Sequence, residues 1–312
     1  MTKILITGGA GYIGSVLTEY LLFNSDYKIT VVDNFIYNSS ALNHLYHFSN
    51  LTILNLDVRN YDQLEQVYKN YDIIIPLAAL VGAPICQKDP IGSKLINYDS
   101  VVKMLEGLSK NQSVIMPTTN SAYGQGQADN FCDENSPLNP ISNYAKEKVE
   151  LEKRLMDFDN TISFRLATVF GMSPRLRLDL LVNDMTYKAY KDQYVVLYES
   201  HFKRNYIHVR DVARVFDFSI KNFNSMKNNI FNVGLEDANL SKQELCNKIK
   251  NHLPNLAIYN NELNKDPDQR NYIVSNKKII KTGFITKYSI DDGIEELIKG
   301  FASLKKFHLG NI

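Results

Sequence analysis

Through the first half of the chain, short apolar runs alternate with stretches whose apolar positions recur at helical spacing. KILIT (Lys3–Thr7), KITVVD (Lys28–Asp33), LTILNL (Leu51–Leu56), YDIIIPLA (Tyr71–Ala78) and SVIMPT (Ser113–Thr118) are rich in β-branched residues. They show little alternation, the pattern of strands covered on both faces. Between them Tyr12–Asn24, Tyr61–Asn70 and Lys94–Lys110 carry amphipathic helical patterns. Strand–helix–strand repetition at this spacing predicts right-handed crossovers and an α/β fold with a doubly wound parallel sheet. After SFRLATVFG (Ser163–Gly171) the rhythm breaks. Short strands mix with helical patterns such as Lys242–His252 and Asp291–Gly300 without regular βα repetition, which predicts a smaller α/β lobe on the C-terminal side of the sheet.

Composition narrows the function classes. The 312 residues carry 35 Lys+Arg against 34 Asp+Glu, a formal charge of +1 that gives no general pull toward nucleic acid or anionic membranes. The longest charge-free apolar stretch, Ile73–Cys86, is too short to span a bilayer and is broken by Pro76, Gly82 and Pro84. MTKILITGG reaches its glycines too soon for a secretory signal. Cys86, Cys132 and Cys246 lie far apart with no CxxC, against a disulfide scaffold and against a zinc module. His44 and His47 have helical spacing but no carboxylate or thiol neighbours, so no metal site is expected. A cytoplasmic, reduced enzyme or binding protein is the class that remains.

Directly after the first strand comes TGGAGYIG (Thr7–Gly14), which satisfies GxGxxG through Gly9, Gly11 and Gly14 and GxxGxxG through Gly8, Gly11 and Gly14. Glycines there allow a tight turn, let backbone amides approach a pyrophosphate, and let the next helix pack on the strand. That helix then aims its N-terminal amides at the phosphates. Asp33 ends the second strand where the dinucleotide fingerprint expects an acid. A carboxylate there accepts bonds from both ribose hydroxyls and repels a 2′-phosphate, so the expected cofactor is NAD rather than NADP. The fold class is therefore Rossmann-type. Residues 1–167, with 206–233 returning, are expected to form the dinucleotide-binding domain, and 168–205 with 234–312 the second lobe. Asp57, after the third strand, is placed either to reach the adenine edge or to cap the next helix.

Two later features bear on chemistry. Thr119 follows the fifth strand in TTNSAYG (Thr118–Gly124), and SNYAKEK (Ser142–Lys148) sets Tyr144 and Lys148 four residues apart on one helix face. A lysine ammonium beside a tyrosine stabilises the phenolate and is expected to lower its pKa, making it a base for a sugar hydroxyl. YxxxK alone is common on surface helices; joined to the dinucleotide fingerprint it gains meaning.

With these motifs in place, the chain resembles the extended short-chain dehydrogenase/reductase family, in particular its nucleotide-sugar epimerases and dehydratases. The likeness runs nearly end to end, through TGGAGYIG, VVDN, LDVRN, LAAL, LINYDS, TTNSAYG, YAKEK, SFRLATVFG, RNYIHVRDVA, FNVG and DQRNYIVSNKKI. It implies Tyr144 as base, Lys148 as the residue that binds the nicotinamide ribose and tunes Tyr144, and Thr119 as a hydrogen-bond partner of the reacting hydroxyl. It implies a cofactor shell of Gly8, Gly11, Tyr12, Ile13, Gly14, Asp33, Asn34, Asp57, Val58, Leu77, Ala78, Ala79 and Asn97, together with Tyr144 and Lys148. A nucleotide-diphosphate sugar is the implied partner, with a homodimer built on the helices around Lys94–Lys110 and Ser142–Phe158.

Departures from the family refine this. Members that eliminate water resemble one another in carrying Asp-Glu after the catalytic threonine, whereas this chain has Asn120 and Ser121, neither of which titrates near pH 7. A 4,6-dehydratase is thereby disfavoured. Thr168 stands where an asparagine is frequent, and Pro76 where a histidine cofactor contact is common. The resemblance places Arg175, Arg177, Asn183, Arg204 and Arg270 around the substrate, the guanidinium forks suiting a diphosphate. Val81, Asn120 and Ser121 join them, and Leu80–Pro84 and Leu197–Tyr198 suggest sugar and base contacts. The expected activity is NAD-dependent oxidation at C4 of a nucleotide sugar, as a 4-dehydrogenase or 4-epimerase. The later motifs look most like bacterial surface-polysaccharide enzymes, GDP-manno-heptose 4-dehydrogenases among them. The alternatives are a UDP-hexose 4-epimerase and, from another class, a catalytically silent NAD-binding regulator.

Overall fold

A computed structural model of the chain describes residues 1–37, 40–126, 131–261 and 269–304. Asp268, which opens the DQRNYIVSNKKI motif, lies outside the described residues, as do the side chains of Ala83 and Pro84. The chain begins β1 (Lys3–Thr7), α1 (Tyr12–Asn24), β2 (Lys28–Asp33), β3 (Leu51–Asn55), α2 (Tyr61–Tyr68) and β4 (Ile73–Pro76). There follow α3 (Ala83–Lys88), α4 (Pro90–Lys94), a π turn over Leu95–Asp99, α5 (Ser100–Gly107), β5 (Ser113–Thr119), β6 (Phe131–Cys132), α6 (Asn143–Met156) and β7 (Thr161–Leu166). The next elements are β8 (Thr168–Phe170), α7 (Leu181–Asp192), β9 (Tyr194–Tyr198), β10 (Lys203–His208), α8 (Val209–Lys221), α9 (Phe223–Met226) and β11 (Asn229–Val233). The chain then runs through β12 (Asn239–Ser241), α10 (Lys242–His252), β13 (Ala257–Asn261), β14 (Ile273–Val274), α11 (Lys277–Lys281) and α12 (Ile290–Phe301).

Seven strands form one sheet in the order β11-β7-β5-β4-β1-β2-β3, and every pairing in it is parallel. This is the doubly wound arrangement the alternation implied. Along β1, Ile4 and Ile6 join one apolar core and Leu5 the other, as do Val31 and Val32 on β2. Both faces of each strand are thus apolar, which is why the sequence shows runs instead of alternation. Strand order reverses between β1 and β4, and a crevice opens there beyond the carboxyl ends of the strands.

The run Ser163–Gly171 is not one strand. Ala167 interrupts it: β7 stays in the large sheet, while β8 pairs with β10, which pairs with β12. A separate apolar core, with Phe170, Val182, Leu197, Tyr206, Leu245 and Ile294, fills the second lobe. Leu197, expected near the nucleotide base, is part of that core at 1% exposure. Lys94–Lys110 is likewise broken by the π turn, a feature that clusters at functional sites. Among the described residues, no helix is long and apolar enough to cross a membrane.

Candidate functional site

The cradle after β1 is made of backbone. Gly8 has φ +71°, and a Cβ on it would lie 2.6 Å from the Ala78 amide nitrogen. A Cβ on Gly14 would lie 2.2 Å from the Gly8 carbonyl oxygen. α1 starts at Tyr12 with no side-chain cap and no acid in its first turn, leaving its N-terminal amides and positive dipole end for an anion. Gly8, Gly11, Asp33, Asn34, Val58, Leu77, Ala78 and Ala79 line the adjoining cavity, with Phe35, Ile36 and Tyr37 at its edge. Asp33 Oδ2 accepts from the Ala10 amide (3.0 Å) and Oδ1 from that of Phe35 (2.9 Å), which fixes the carboxylate at the end of β2. Burial raises its pKa, and these amide bonds oppose the rise. An adenosine ribose fits a cavity with this acid at its rim, and a pyrophosphate fits the cradle.

Two members of the expected cofactor shell, Asp57 and Asn97, are not among the residues that line this cavity. Asp57 is gripped by Arg59, whose Nε and Nη2 donate at 2.8 and 2.7 Å, and by Asn34 Nδ2 at 3.0 Å. The Arg59 guanidinium holds its carboxyl far below the usual range. Its neighbours Leu56 and Val58 line the cavity. Asn97, in the π turn and 1% exposed, accepts from the Leu80 amide (2.8 Å) and donates to the Leu80 carbonyl (3.0 Å). It braces the loop that carries Leu77–Leu80 and does not touch the cavity itself, an arrangement that sequence spacing does not reveal.

The larger cleft, about 710 Å³, runs from Gly8 and Tyr12–Gly14 to the second lobe. Thr119, Tyr144 and Lys148 all line it, brought there by the end of β5 and the first turns of α6. Ser142 Oγ caps α6 by accepting from the Ala145 amide (3.2 Å), which sets where Tyr144 emerges. Burial lowers Lys148 to about 8, against the opposing pull of Glu147. Burial also pushes Tyr144 up to about 12, while Arg177 and Arg270 draw it down. The lowering of Tyr144 expected from Lys148 is thus not found: burial of the phenol dominates, and the positive charges that oppose it are those of Arg177 and Arg270.

Behind this wall a buried ion pair stiffens β5, α6 and β7. Arg165 and Glu152, each 4% exposed, meet at 2.6 Å, and Thr118 and Ser163 donate to the same carboxylate (both 2.8 Å).

Val81, Ser121, Arg175, Arg177, Arg204 and Arg270 line the cleft. Arg177 is paired with Asp179 (2.5 Å) and also donates to the Val81 carbonyl (3.4 Å). Arg270 donates to Ser121 Oγ, and Arg204 lies over the Tyr272 ring, 5.6 Å from its centre. Asn183 is corrected. It is fully buried, accepts from the Gly171 amide (3.0 Å) and donates to the Arg177 carbonyl (2.9 Å). It therefore closes the turn ahead of α7 and is absent from the residues that line the cleft. Asn120 sits in the short 3₁₀ turn of Asn120–Tyr123 between the cleft residues Thr119 and Ser121; it is 1% exposed, and among the described residues neither its amide oxygen nor its amide nitrogen has a hydrogen-bond partner. Tyr198 offers its carbonyl to Lys242 (2.7 Å). Sequence reasoning missed Tyr37, Asp184, Lys242 and Gln269, all of which line the cleft, as does Thr168, read from the sequence as a substrate-side position. Only Tyr37 left a signal, an aromatic residue shortly after the acid that ends β2.

Comparison with known proteins agrees with this geometry. The model of the NAD dependent epimerase/dehydratase family matches residues 4–234. A protein of Methanocaldococcus jannaschii named "Putative UDP-glucose 4-epimerase" is 26% identical over 313 residues, 95% of this chain and 97% of that one. The solved UDP-N-acetylglucosamine 4-epimerase from Methanobrevibacter ruminantium M1, in complex with UDP-N-acetylmuramic acid, has the same fold. It is 24% identical with a TM-score of 0.83, over 97% of this chain and 98% of that one. UDP-glucuronic acid 4-epimerase from Bacillus cereus, in complex with UDP-glucuronic acid and NAD, is 22% identical with a TM-score of 0.83, over 96% and 100%. Cradle, acid, Tyr-Lys pair and family match agree, and the chain belongs to the NAD dependent epimerase/dehydratase family, with NAD as its cofactor.

Proposed function

We propose that the protein is a nucleotide-sugar 4-epimerase, which oxidises the C4 hydroxyl of its substrate and reduces the resulting ketone from the other face. The observation that carries this reading is the convergence of Thr119, Tyr144 and Lys148 on one cleft, with no acid pair after Thr119. Gly8, Gly11, Gly14 and Asp33 would hold NAD, which supplies the two-electron acceptor. Tyr144 Oη takes the proton from O4 as the C4–H bond breaks and the carbonyl forms, and returns that proton when the ketone is reduced. Thr119 Oγ1 hydrogen-bonds the same oxygen through both half-reactions. With its pKa pushed up to about 12, the phenol by itself is protonated at neutral pH. It becomes a base as positive charge gathers beside it, a task to which Arg177, Arg270 and a protonated Lys148 contribute. Asn120 and Ser121 offer no acid for a departing hydroxyl, so elimination lacks its proton donor.

The name of the Methanocaldococcus relative supports return of hydrogen over release of the 4-keto sugar. Incubation with UDP-glucose, UDP-N-acetylglucosamine and GDP-manno-heptose, followed by mass analysis in deuterated water, tests the reading. An epimer of unchanged mass is expected from one of them. A ketone lighter by two hydrogens, with stoichiometric NADH, would make the protein a 4-dehydrogenase. A product lighter by water, with deuterium at C5, would overturn the reading and the weight placed on Asn120 and Ser121.

A further inference from the structure

Tyr37 lines both the dinucleotide cavity and the larger cleft, at the point where the two meet. The chain reaches it through Phe35, which takes the left-handed φ of 52° while its amide donates to Asp33. For a residue with a Cβ this conformation is sparsely populated, and the Asp33 carboxylate that faces the cofactor is what holds it. The Tyr37 hydroxyl is buried and, among the described residues, has no hydrogen-bond partner. Over its ring, 4.5 Å from the centre, sits the guanidinium of Arg175, which comes from the other lobe.

The root of Arg175 is tied to the phosphate cradle. Its amide donates to Ser173 Oγ (3.2 Å), and that hydroxyl donates to the Tyr12 carbonyl (2.8 Å) and meets Ser15 Oγ at 3.1 Å. Tyr12 and Ser15 belong to the first turn of α1, where the amides await a pyrophosphate. A positive charge from one lobe and an aromatic ring from the other are therefore both anchored beside the place where the dinucleotide carries its negative charge. The sequence reading gave Arg175 to the sugar diphosphate; in the fold it lines the larger cleft with its root beside the cradle.

We propose that Tyr37 and Arg175 form an inter-lobe latch over the bound dinucleotide, with Arg175 paired to its pyrophosphate, and that opening of this latch sets the rate of cofactor exchange. The buried Tyr37 hydroxyl gains its partner when the dinucleotide is in place. A slow latch would keep the reduced cofactor on the protein while a ketone waits to be reduced; that consequence rests on the proposed epimerase reading, the latch itself only on NAD.

NADH fluorescence in a stopped-flow displacement experiment, with excess NAD as the chase and no sugar present, tests the latch directly. Arg175→Ala and Tyr37→Leu should each raise the dissociation rate by about tenfold, as loss of a partly buried cation–aromatic pair and its anion would. The double variant should gain little over either single one, because both substitutions break the same device. Circular dichroism melts confirm that each variant is folded, and Arg175→Lys, which keeps the charge but not the planar stack, should fall between. Dissociation rates within twofold of the parent in both single variants would overturn the latch. Independent effects that multiply in the double variant would overturn the pairing of the two residues.

Discussion

At its cofactor end the cleft offers backbone: the glycines of the first loop, uncapped helix amides and one carboxylate. At its sugar end it offers long side chains that already hold one another, with Arg177 on Asp179, Arg270 on Ser121 and Arg204 over Tyr272. A backbone cradle has its shape before any ligand arrives, so its demands appear as sequence: glycine where a Cβ would collide. A side-chain surface has several arrangements of similar energy, and those arrangements are set by partners distant along the chain. The first kind of site binds one invariant ligand; the second can be retuned for different sugars without touching the cradle.

Substitutions can break this contrast at either end. The largest effect is expected at Gly14. A methyl group there would meet the Gly8 carbonyl at 2.2 Å, so Gly14→Ala should lower NAD affinity by about a thousandfold in calorimetric titration. Nucleotide-sugar binding should persist; its parallel loss would show that the two ends are not separable. Tyr144→Phe retains the ring and removes the ionisable oxygen, and single-turnover oxidation should fall by about a hundredfold with ligand affinities unchanged. An undiminished rate would take Tyr144 out of its role.

Lys148 gives a pH-dependent test. Its pKa falls from 10.5 in the unfolded chain to about 8 in the fold. Between those values the unfolded chain holds a proton that the folded protein lacks, so stability rises with pH through that window. Below pH 8 the whole cost of the buried ammonium is carried. Lys148→Met should therefore stabilise the cofactor-free protein by roughly 2 kcal/mol at pH 7, and the gain should shrink toward pH 10. A gain independent of pH would mean that packing, not charge, is responsible. The smallest effect belongs to Asn183→Ala, which leaves the Gly171 amide and Arg177 carbonyl short of a partner. It should cost about 1–2 kcal/mol in denaturant unfolding and leave KM for the sugar nucleotide unchanged. A raised KM without loss of stability would return Asn183 to the substrate.

The same contrast explains what the sequence disclosed. α1 and α10 span Tyr12–Asn24 and Lys242–His252, the bounds that their patterns predict, because glycine and serine mark their starts. The break at Ala167 was hidden: an unbroken apolar run does not say which neighbour each half will pair with. The π turn was hidden as well, since one extra residue in a helical turn leaves apolar spacing almost intact. Among site residues, the glycines, Asp33, Thr119, Tyr144 and Lys148 were legible because their chemistry depends on local spacing. The internal bonds of Asn183 and Asn97 were not legible, because an amide serves equally as ligand contact or internal tie, and only the fold around it decides.

One set of ties bears on how such a protein could be re-engineered. Tyr12 Oη donates to the Gly171 carbonyl at 2.8 Å, and Ser173 Oγ bonds the Tyr12 carbonyl and Ser15. These buried bonds rivet the helix of the cradle to the first turn of the second lobe, each contributing about 1 kcal/mol. The ties join the cofactor seat directly to the wall of the cleft where the second lobe begins. Selection for bulkier sugars would accordingly proceed by shaving residues from the cleft lining, Thr168 and Val81 foremost, because loosening the rivets would disturb the cofactor seat at the same stroke.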